Sequence, residues 1–335
     1  ITARGKSVDL AVTPEHRMWV RRDYTKKGYM HVTAFDLLNH GDARRKKRYR
    51  FLQRLKWSGR KITHFKIPAY QVRYLGRKLG SPKVLSGFKK FSASLWVRFM
   101  AWYLAEGCCD RPWVGKRERR AHGYRVSISQ SASHNPKYVE EIKKILEEMG
   151  YKYFYYGVGF TINSRELYEY LKQFGRSKEK HVPEEFKAMS SDLIRLFLET
   201  YLKGDGHITP GGQRSIASSS KRMRDDLQEM ALKAGCWAYV NEKRQAVLLS
   251  KQKDALVHDR TGDYGIGRKN YHGFVHCVTV STGVILVRRN GRAVWCGNCY
   301  DDELNVNRKA FLDLLDGLIK LQERLQTKFA LRGFV

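Results

Sequence analysis

Acid is scarce in this sequence. Its 335 residues hold 33 Asp and Glu against 64 Lys and Arg, a formal charge of +31. That excess is far beyond what solubility needs, and nucleic acid is the commonest polyanion such a surface meets; a ribosomal-type or membrane-surface role is the plainer competitor. Long apolar runs are lacking too. None reaches the roughly 18 residues of a membrane span and no charged-then-apolar leader opens the chain, so no spanning segment is expected and an intracellular setting is. Cysteine is sparse, at positions 108, 109, 236, 277, 296 and 299. Without a secretion signal these read as reduced thiols rather than a disulfide framework. Cys296 and Cys299 have the spacing of half a zinc site, but the adjacent Cys108 and Cys109 cannot supply the usual other half, so structural zinc is not expected. A hydrophobic fraction of 42% excludes a disordered basic tail and allows two modest domains with real cores.

The basic excess is unevenly spread. From Cys299 to Val335 there are six Lys/Arg and six Asp/Glu, so the whole surplus precedes Cys299. A composition break therefore falls between Asn298 and Cys299.

The most informative pattern is a loose internal repeat. Residues 99–107 read FMAWYLAEG and residues 198–206 read LETYLKGDG, each an apolar helical run that stops at acid-Gly. After the first comes a strand-like YRVSISQS and then NPKYVEEIKKILEEMG, where Asn135 can cap, Pro136 suits the first helical position and Gly150 ends the helix. Its expected core face is Val139, Ile142, Leu146 and Met149. After the second comes RSIASSS, then KRMRDDLQEMALKAG, closed by Gly235. Further apolar strand pairs follow each helix, around YKYFYYGVGFTI and CWAYVNEKRQAVLLS.

The two helices resemble the motif helices of LAGLIDADG homing endonucleases, with Glu106 and Asp205 at the acid before the final glycine. EKHVPEEF (179–186) resembles the family's Lys-x-hydrophobic-Pro element, with Lys180 as its lysine. The likeness spans residues 91–250. It implies a site-specific enzyme that cuts both strands of a DNA duplex with Mg2+ or Mn2+, working as a monomer with internal pseudo-twofold symmetry. Apart from the family, two helices meeting side by side need small residues at four-residue spacing, and Ala101/Ala105 with Thr200/Gly204 provide them. Two carboxylates at the paired ends can hold hard divalent cations that activate water and stabilise a leaving phosphodiester oxygen. Lys180 is placed to stabilise the developing charge. Carboxylates are disfavoured at the negative end of a helix dipole, so a nearby cation would explain two of them.

The flanks VDLAVTPEHRMWV (8–20) and YHGFVHCVTVSTGVILVRRNGRAVWCGN (271–298) together resemble the Hedgehog/intein splicing domain. Thr13 and His16 match its TxxH element, and the last stretch matches its C-terminal strands ending in Gly-Asn before Cys. The resemblance implies protein splicing, with Asn298 the last intein residue and Cys299 the first of the C-terminal extein. An Asn amide can attack its own backbone carbonyl and break the following bond without water or cofactor, and a Cys299 thiolate can accept an upstream acyl group. His16 would protonate the leaving nitrogen of the upstream junction while Thr13 polarises that bond. His276 and Cys277 stand where the family places assisting residues; Cys277 reads equally as a small buried side chain. Two departures are visible. Gly297 stands where most inteins have His, so another group, His276 for example, must supply the proton. The N-terminal nucleophile is expected upstream of Ile1; an alternative class uses an internal cysteine, here Cys277 with Trp19, although Val278 stands where a Thr is expected.

Residues 24–90 carry 19 Lys/Arg against two Asp/Glu. In ARRKKRYRFLQRLKW (43–57) the apolar spacing predicts a helix, and we expect a DNA-contacting extension through Arg44, Arg45, Lys46, Lys47 and Arg48. Base-reading positions are expected on the strands after each motif helix, at Arg125, Ser127, Ser129, Arg214, Ile216 and Ser218, with Lys221 beside them.

The expected architecture is α+β. An all-β splicing domain (1–23 and 251–298) is split by the basic extension (24–90) and a two-repeat αββαββα endonuclease (91–250), with host segment 299–335 after it. Partners are double-stranded DNA and the flanking exteins, with no membrane. A free-standing LAGLIDADG protein that binds DNA or intron RNA without splicing stays open, as does a basic regulator that binds DNA without cutting it.

Overall fold

The structure, a computed structural model, describes residues 2–4, 8–23, 27–39, 48–68, 71–72, 83–84, 88–110, 113–114, 121–122, 124–250, 254–258, 265–274, 276, 278 and 280–298. The chain begins with β1 (Thr2–Arg4), β2 (Asp9–Ala11), β3 (Arg17–Arg22), β4 (Met30–Thr33), α1 (Ala34–Asn39) and β5 (Arg48–Leu52). Then come β6 (His64–Ile67), β7 (Gln71–Val72), β8 (Lys83–Val84), β9 (Lys89–Ser92) and α2 (Ala93–Glu106). β10 (Gly107–Cys109), β11 (Trp113–Val114), β12 (Ala121–His122), β13 (Arg125–Ser129), α3 (Pro136–Glu148), β14 (Phe154–Tyr155), β15 (Gly159–Asn163) and α4 (Arg165–Leu171) complete a first repeat. After α5 (Glu184–Lys187) the second repeat runs through α6 (Ser191–Asp205), β16 (Gly206–Ile208), β17 (Arg214–Ala217), α7 (Lys221–Lys233), β18 (Trp237–Asn241) and β19 (Ala246–Ser250). The last elements are β20 (Asp254–His258), β21 (Gly265–Gly267), β22 (Val284–Arg289) and β23 (Arg292–Gly297).

The repeat is topological as well as sequential. One sheet has the order β10-β13-β15-β14 and the other opens β16-β17-β19-β18, all pairs antiparallel. Register carries the equivalence to single residues. Gly107 opposes Ile128 as Gly206 opposes Ile216. The rows Gly107-Ile128-Phe160-Tyr155 and Gly206-Ile216-Val247-Val240 therefore correspond. Ile128, Phe160, Ile216, Val247 and Val240 from these rows are buried against the helices.

Local chemistry places the helices. α3 has Pro136 at its first turn, buries Val139, Ile142, Ile145 and Leu146, and is followed by Gly150 with a left-handed φ of 71°. α7 is capped by the Ser220 hydroxyl, which accepts from Met223 N at 3.1 Å, and Gly235 follows it with φ 82°. Ser92 caps α2 in the same way, accepting from Leu95 N at 3.4 Å. α2 is apolar nearly all round, and ten of its side chains are buried, so it lies at the centre of the core rather than on a face.

A second, smaller core gathers Val8, Leu10, Met18, Val20, Leu37, Tyr49 and Phe51 from before the repeats with Ala255, Val257, Ile266, Val294 and Cys296 from after them. Its strands form the sheets β20-β5-β3-β4 and β2-β1-β21. The helix expected across residues 43–57 is thereby corrected. Residues 48–52 are the strand β5, with Tyr49 and Phe51 buried and Arg48 exposed, a period of two rather than 3.6. Val20, Arg21 and Arg22 of β3 pair with it, so tertiary pairing overrides the helical spacing. β4, α1 and β5 consequently pack with the small core. Arg44, Arg45, Lys46 and Lys47 lie outside the described residues, as do Cys277 and residues 299–335.

The two cores are joined through one sheet. β23 continues the second repeat's sheet by pairing Arg292 with Tyr239, giving β16-β17-β19-β18-β23-β22. Leu232, Trp237 and Ala293 form a small apolar cluster at this seam. Gln228 Nε2 donates to Ala238 O at 3.0 Å and to Gly291 O at 2.9 Å, which fastens α7 to the hairpin turn. Among the described residues no helix is long and apolar enough to cross a membrane.

Candidate functional sites

α2 and α6 pack side by side, and at Gly204 they approach closely. A Cβ there would lie 2.8 Å from the Ala105 Cβ and 3.0 Å from the Glu106 Cγ. Gly206 is needed for another reason, since a Cβ would lie 2.1 Å from the Leu202 carbonyl oxygen as the helix turns into a strand. Ala101 and Thr200 are fully buried in the same packing. The paired helix ends set Glu106 and Asp205 against each other. Burial raises the pKa of Glu106, and the Asp205 charge raises it further while Lys180 pulls it back. Burial likewise raises Asp205, against Lys180 and a hydrogen bond from Tyr201, whose hydroxyl donates to Asp205 Oδ2 at 3.4 Å.

Lys180 is the cation of this group and is 6% exposed. Its ammonium donates to Tyr103 O at 3.2 Å and Ala105 O at 3.4 Å, carbonyls in the last turn of α2. Burial lowers its pKa, and Asp205, Glu106 and nearby thiols hold it up. Ser220 Oγ donates to Lys180 O at 2.6 Å, so the α7 cap also fixes the lysine's backbone. An open recess of about 290 Å³ beside the pair is lined by Lys180, Tyr201, Asp205, Ser218 and Arg244. Among the described residues no cluster of three or more His, Cys, Asp or Glu could hold a metal ion. Two half-buried carboxylates are nevertheless a hard-oxygen donor set that fits Mg2+ or Mn2+, because a cation offsets the burial that raises both pKa values and the Asp205 charge that raises Glu106 further. Tyr201 and Arg244 were not anticipated from sequence. Tyr201 lies four residues before Asp205 on one helix and was open to that inference; Arg244 is brought in only by the β18–β19 turn.

At the small core, Thr13, His16 and His276 line one recess of about 1020 Å³ with Tyr271, Phe274 and Cys296. His16 Nε2 lies 3.0 Å from Cys296 Sγ. Burial and the Arg17 charge lower its pKa, and a hydrogen bond to the Gly297 backbone partly restores it. Asn298 is fully buried at the end of β23. Its backbone N–H donates to Gly283 O at 3.0 Å. Its side-chain amide, oriented to satisfy both ends, donates to Gly283 O at 2.9 Å and accepts from Val280 N at 3.2 Å. Arg17 Nε donates to the Asn298 backbone oxygen at 3.5 Å. A ring beside Gly297 is that of His31, which lies far away in sequence.

The strand residues expected to read DNA divide by register. Arg125 and Ser129 are exposed and Ser127 is half-buried on the open face of the first sheet, with Val126 and Ile128 on the core face. In the second sheet the equivalents of Ser127 and Ser129 are Ser215 and Ala217, one position off the expected set. Ile216 is fully buried and cannot read bases; the strand begins one residue out of phase with the first. Arg214 is exposed at the strand start, and Ser218 lies beyond its end in the carboxylate recess. Lys221 is exposed and pairs with Asp225 at 3.0 Å. Arg48 lies 3.9 Å from Asp23, within the small core's ion-pair network.

Residues 192–256 match the family model described as a LAGLIDADG-like domain. The chain is 22% identical over 358 aligned positions to the C-terminal section of a DNA-directed RNA polymerase beta subunit from Stigeoclonium helveticum, covering 88% of this chain and 31% of that protein. It is also 22% identical over 234 positions to an ATP-dependent Clp protease proteolytic subunit from Chlamydomonas moewusii, covering 68% of this chain and 22% of that one. The chain thus spans less than a third of the length of either curated relative. A solved structure of I-DmoI in complex with DNA and Mn is 12% identical with a TM-score of 0.35, over 47% of this chain and 88% of that one. With its acid-tipped helix pair and its matched second repeat, the chain carries a LAGLIDADG-like domain.

Proposed function

We propose that this chain is an intein that carries a site-specific DNA endonuclease. The observation behind this reading is the interrupted small core. Its strands come from both sides of the LAGLIDADG-like repeats, and its last strand delivers a buried Asn298 to a bond with Cys299. The two curated relatives support it, since a polymerase subunit and a protease subunit share no activity, yet both match most of this chain over a minor part of their own lengths. What they share is then an inserted module.

At the endonuclease end, Glu106 and Asp205 would hold Mg2+ or Mn2+. The bound ion supplies Lewis-acid stabilisation of the leaving oxygen and a more acidic water. Lys180, held under the paired helix ends, counters negative charge that builds during phosphodiester cleavage. The open strand faces carry Arg125, Ser127, Ser129 and Ser215 towards the duplex grooves. At the splicing end, Thr13 and His16 serve the upstream junction and Asn298 cleaves the downstream one by cyclisation.

The decisive experiment is mass spectrometry of the purified chain incubated at neutral pH. A peptide beginning at Cys299 should accumulate, and Asn298→Ala should abolish it. Release that survives Asn298→Ala would point to ordinary proteolysis and remove the splicing reading. The endonuclease reading is tested separately, by cleavage of a duplex spanning the uninterrupted host gene with Mg2+ and its loss in Glu106→Gln.

A further inference from the structure

Gly297 leaves the Asn298 junction without a neighbouring side chain, and the surrounding strands explain why none fits. A Cβ at position 297 would lie 2.2 Å from the Arg17 carbonyl oxygen and 2.9 Å from His31 Nδ1. Backbone from β3 and a ring from β4 already occupy that space. The ring also borders the space beside the Asn298 amide: a point one Cβ out from Gly283 is 3.7 Å from His31 Nε2 and 3.7 Å from the outer amide atom of Asn298, which is Nδ2 in the orientation that satisfies both ends. Trp19 backs the imidazole, its ring centroid 4.7 Å away and tilted by 56°. Pairing of Trp19 with His31 across β3 and β4 fixes this placement. On the other side, Arg17 Nε donates to the backbone oxygen of Asn298, 3.5 Å away. That carbonyl is the electrophile in Asn cyclisation.

We infer that Arg17 and His31 together form the catalytic group for cleavage after Asn298, in place of a side chain at position 297. The inference rests on the splicing reading above. In the step, Asn298 Nδ2 forms a bond to the Asn298 backbone carbon and the bond from that carbon to the Cys299 nitrogen breaks. The proton lost by Nδ2 passes to the departing amine through the His31 imidazole. Negative charge that builds on the Asn298 oxygen is met by the Arg17 guanidinium. The products are a C-terminal aminosuccinimide and a peptide with a free amine at Cys299; no water, oxidant or metal is consumed. Burial and the Arg17 charge lower the pKa of His31, so near neutral pH its ring is available in the neutral form that can accept a proton. A permanently charged guanidinium suits the other role, since it stabilises an oxyanion without having to be protonated first.

The test uses the full chain and follows release of the peptide beginning at Cys299. Arg17→Gln should slow release about 100-fold, the usual scale for removing one donor from a developing oxyanion. Arg17→Lys should restore part of that loss, because a charge returns without the fork. His31→Asn should slow release about 100-fold. His31→Gly should be slow and partly rescued by added imidazole, a response that a purely structural role would not give. Unchanged melting temperatures and DNA binding would show that the variants fold. Wild-type rates in both Arg17→Gln and His31→Asn, with Asn298→Ala inert, would overturn the pair while leaving splicing intact. Failure of imidazole to rescue His31→Gly would remove the proton-carrying role. A wild-type chain that never releases the peptide would overturn the splicing reading and this inference with it.

Discussion

Glu106 and Asp205 store a cost in the folded state. Both carboxyls have pKa values raised by burial, and Glu106 is raised further by its neighbour. An acid whose folded pKa exceeds its unfolded value destabilises the protein at pH above both values, and the penalty fades as pH falls and the group protonates. Glu106→Gln and Asp205→Asn should therefore raise the melting temperature at neutral pH without divalent ions. Mg2+ or Mn2+ should stabilise the wild type and do little for either variant, in line with binding to the folded state alone. Calorimetry with and without Mn2+ checks both signs, and an equal metal-induced shift in all three proteins would separate these acids from metal binding. Under the proposed endonuclease reading, the same raised values should set the acid limb of DNA cleavage. Only ionised carboxylates are good ligands, so activity should fall on acidification at a pH above the roughly 4 of free carboxylates. Each acid was readable in sequence because it ends a helix at a repeated position. The pressure on it was not, because burial and the partner's charge come from helix α6 meeting α2.

Helix and strand contacts make two predictions sharper. A methyl group at Gly204 would drive into Ala105 Cβ and Glu106 Cγ, so Gly204→Ala should force α2 and α6 apart. Overpacking of this kind costs about 1–3 kcal/mol, and DNA cleavage should fall by more than stability does, because the two carboxylates move with their helices. Urea denaturation beside a nuclease assay measures both. In the small core, β20 delivers Asp254 to Arg50 Nη1 at 2.7 Å, Arg21 Nη2 at 3.0 Å and the Tyr29 hydroxyl at 3.0 Å. Burial alone would raise the Asp254 pKa, but hydrogen bonds from Arg50, Arg21 and Tyr29 hold it below the usual value. A depressed folded pKa gives stability that is present above the unfolded value near pH 4 and lost as pH falls through the folded one. Asp254→Asn should thus destabilise the protein at pH 7 by about 1–2 kcal/mol, allowing for partial solvent screening. It should also flatten the acid side of the stability profile; a variant with the wild-type profile would show that the cluster adds no net stability. Element type followed sequence where the periodic face was long, as in α3. It failed at β5, where the set Tyr49, Phe51, Leu52, Leu55 and Trp57 suggests a helical spacing but β3 and β20 pair with the segment from both sides.

At the scale of the whole molecule, the excess of +31 has to be located. Arg48 and Arg50 face Asp23 at 3.9 Å and 2.5 Å within the small core, so the neighbouring run Arg44, Arg45, Lys46 and Lys47 is the better candidate for phosphate contact. Changing those four to Gln should flatten the slope of log K against log salt by about 3 to 4 units if all reach phosphates, at about 0.9 per contact. Cognate and scrambled duplexes should lose affinity alike, because phosphate contacts position a protein and base edges specify its site. Titration across a salt series decides it, and an unchanged slope would return the run to a solvated role.

Sequence alone determined the repeat, the acids that end its helices, the helix start at Pro136 with the glycine stops after α3 and α7, and the composition break between Asn298 and Cys299. These rest on local patterns: a helical period, a cap, a glycine, two adjacent reactive residue types. Tertiary structure decided the rest. β5 joins the small core because β20 and β23, which pack against it, lie some two hundred residues downstream, and no local window contains that pairing. Register placed Ser215 rather than Ile216 on the open face, since a shift of one residue exchanges the two sides of a strand. Arg17 reaches the Asn298 carbonyl and His31 reaches Gly297 only because β3 and β4 lie against the end of β23. Contacts between segments so far apart are set by the packing of the whole core, which a linear pattern does not encode.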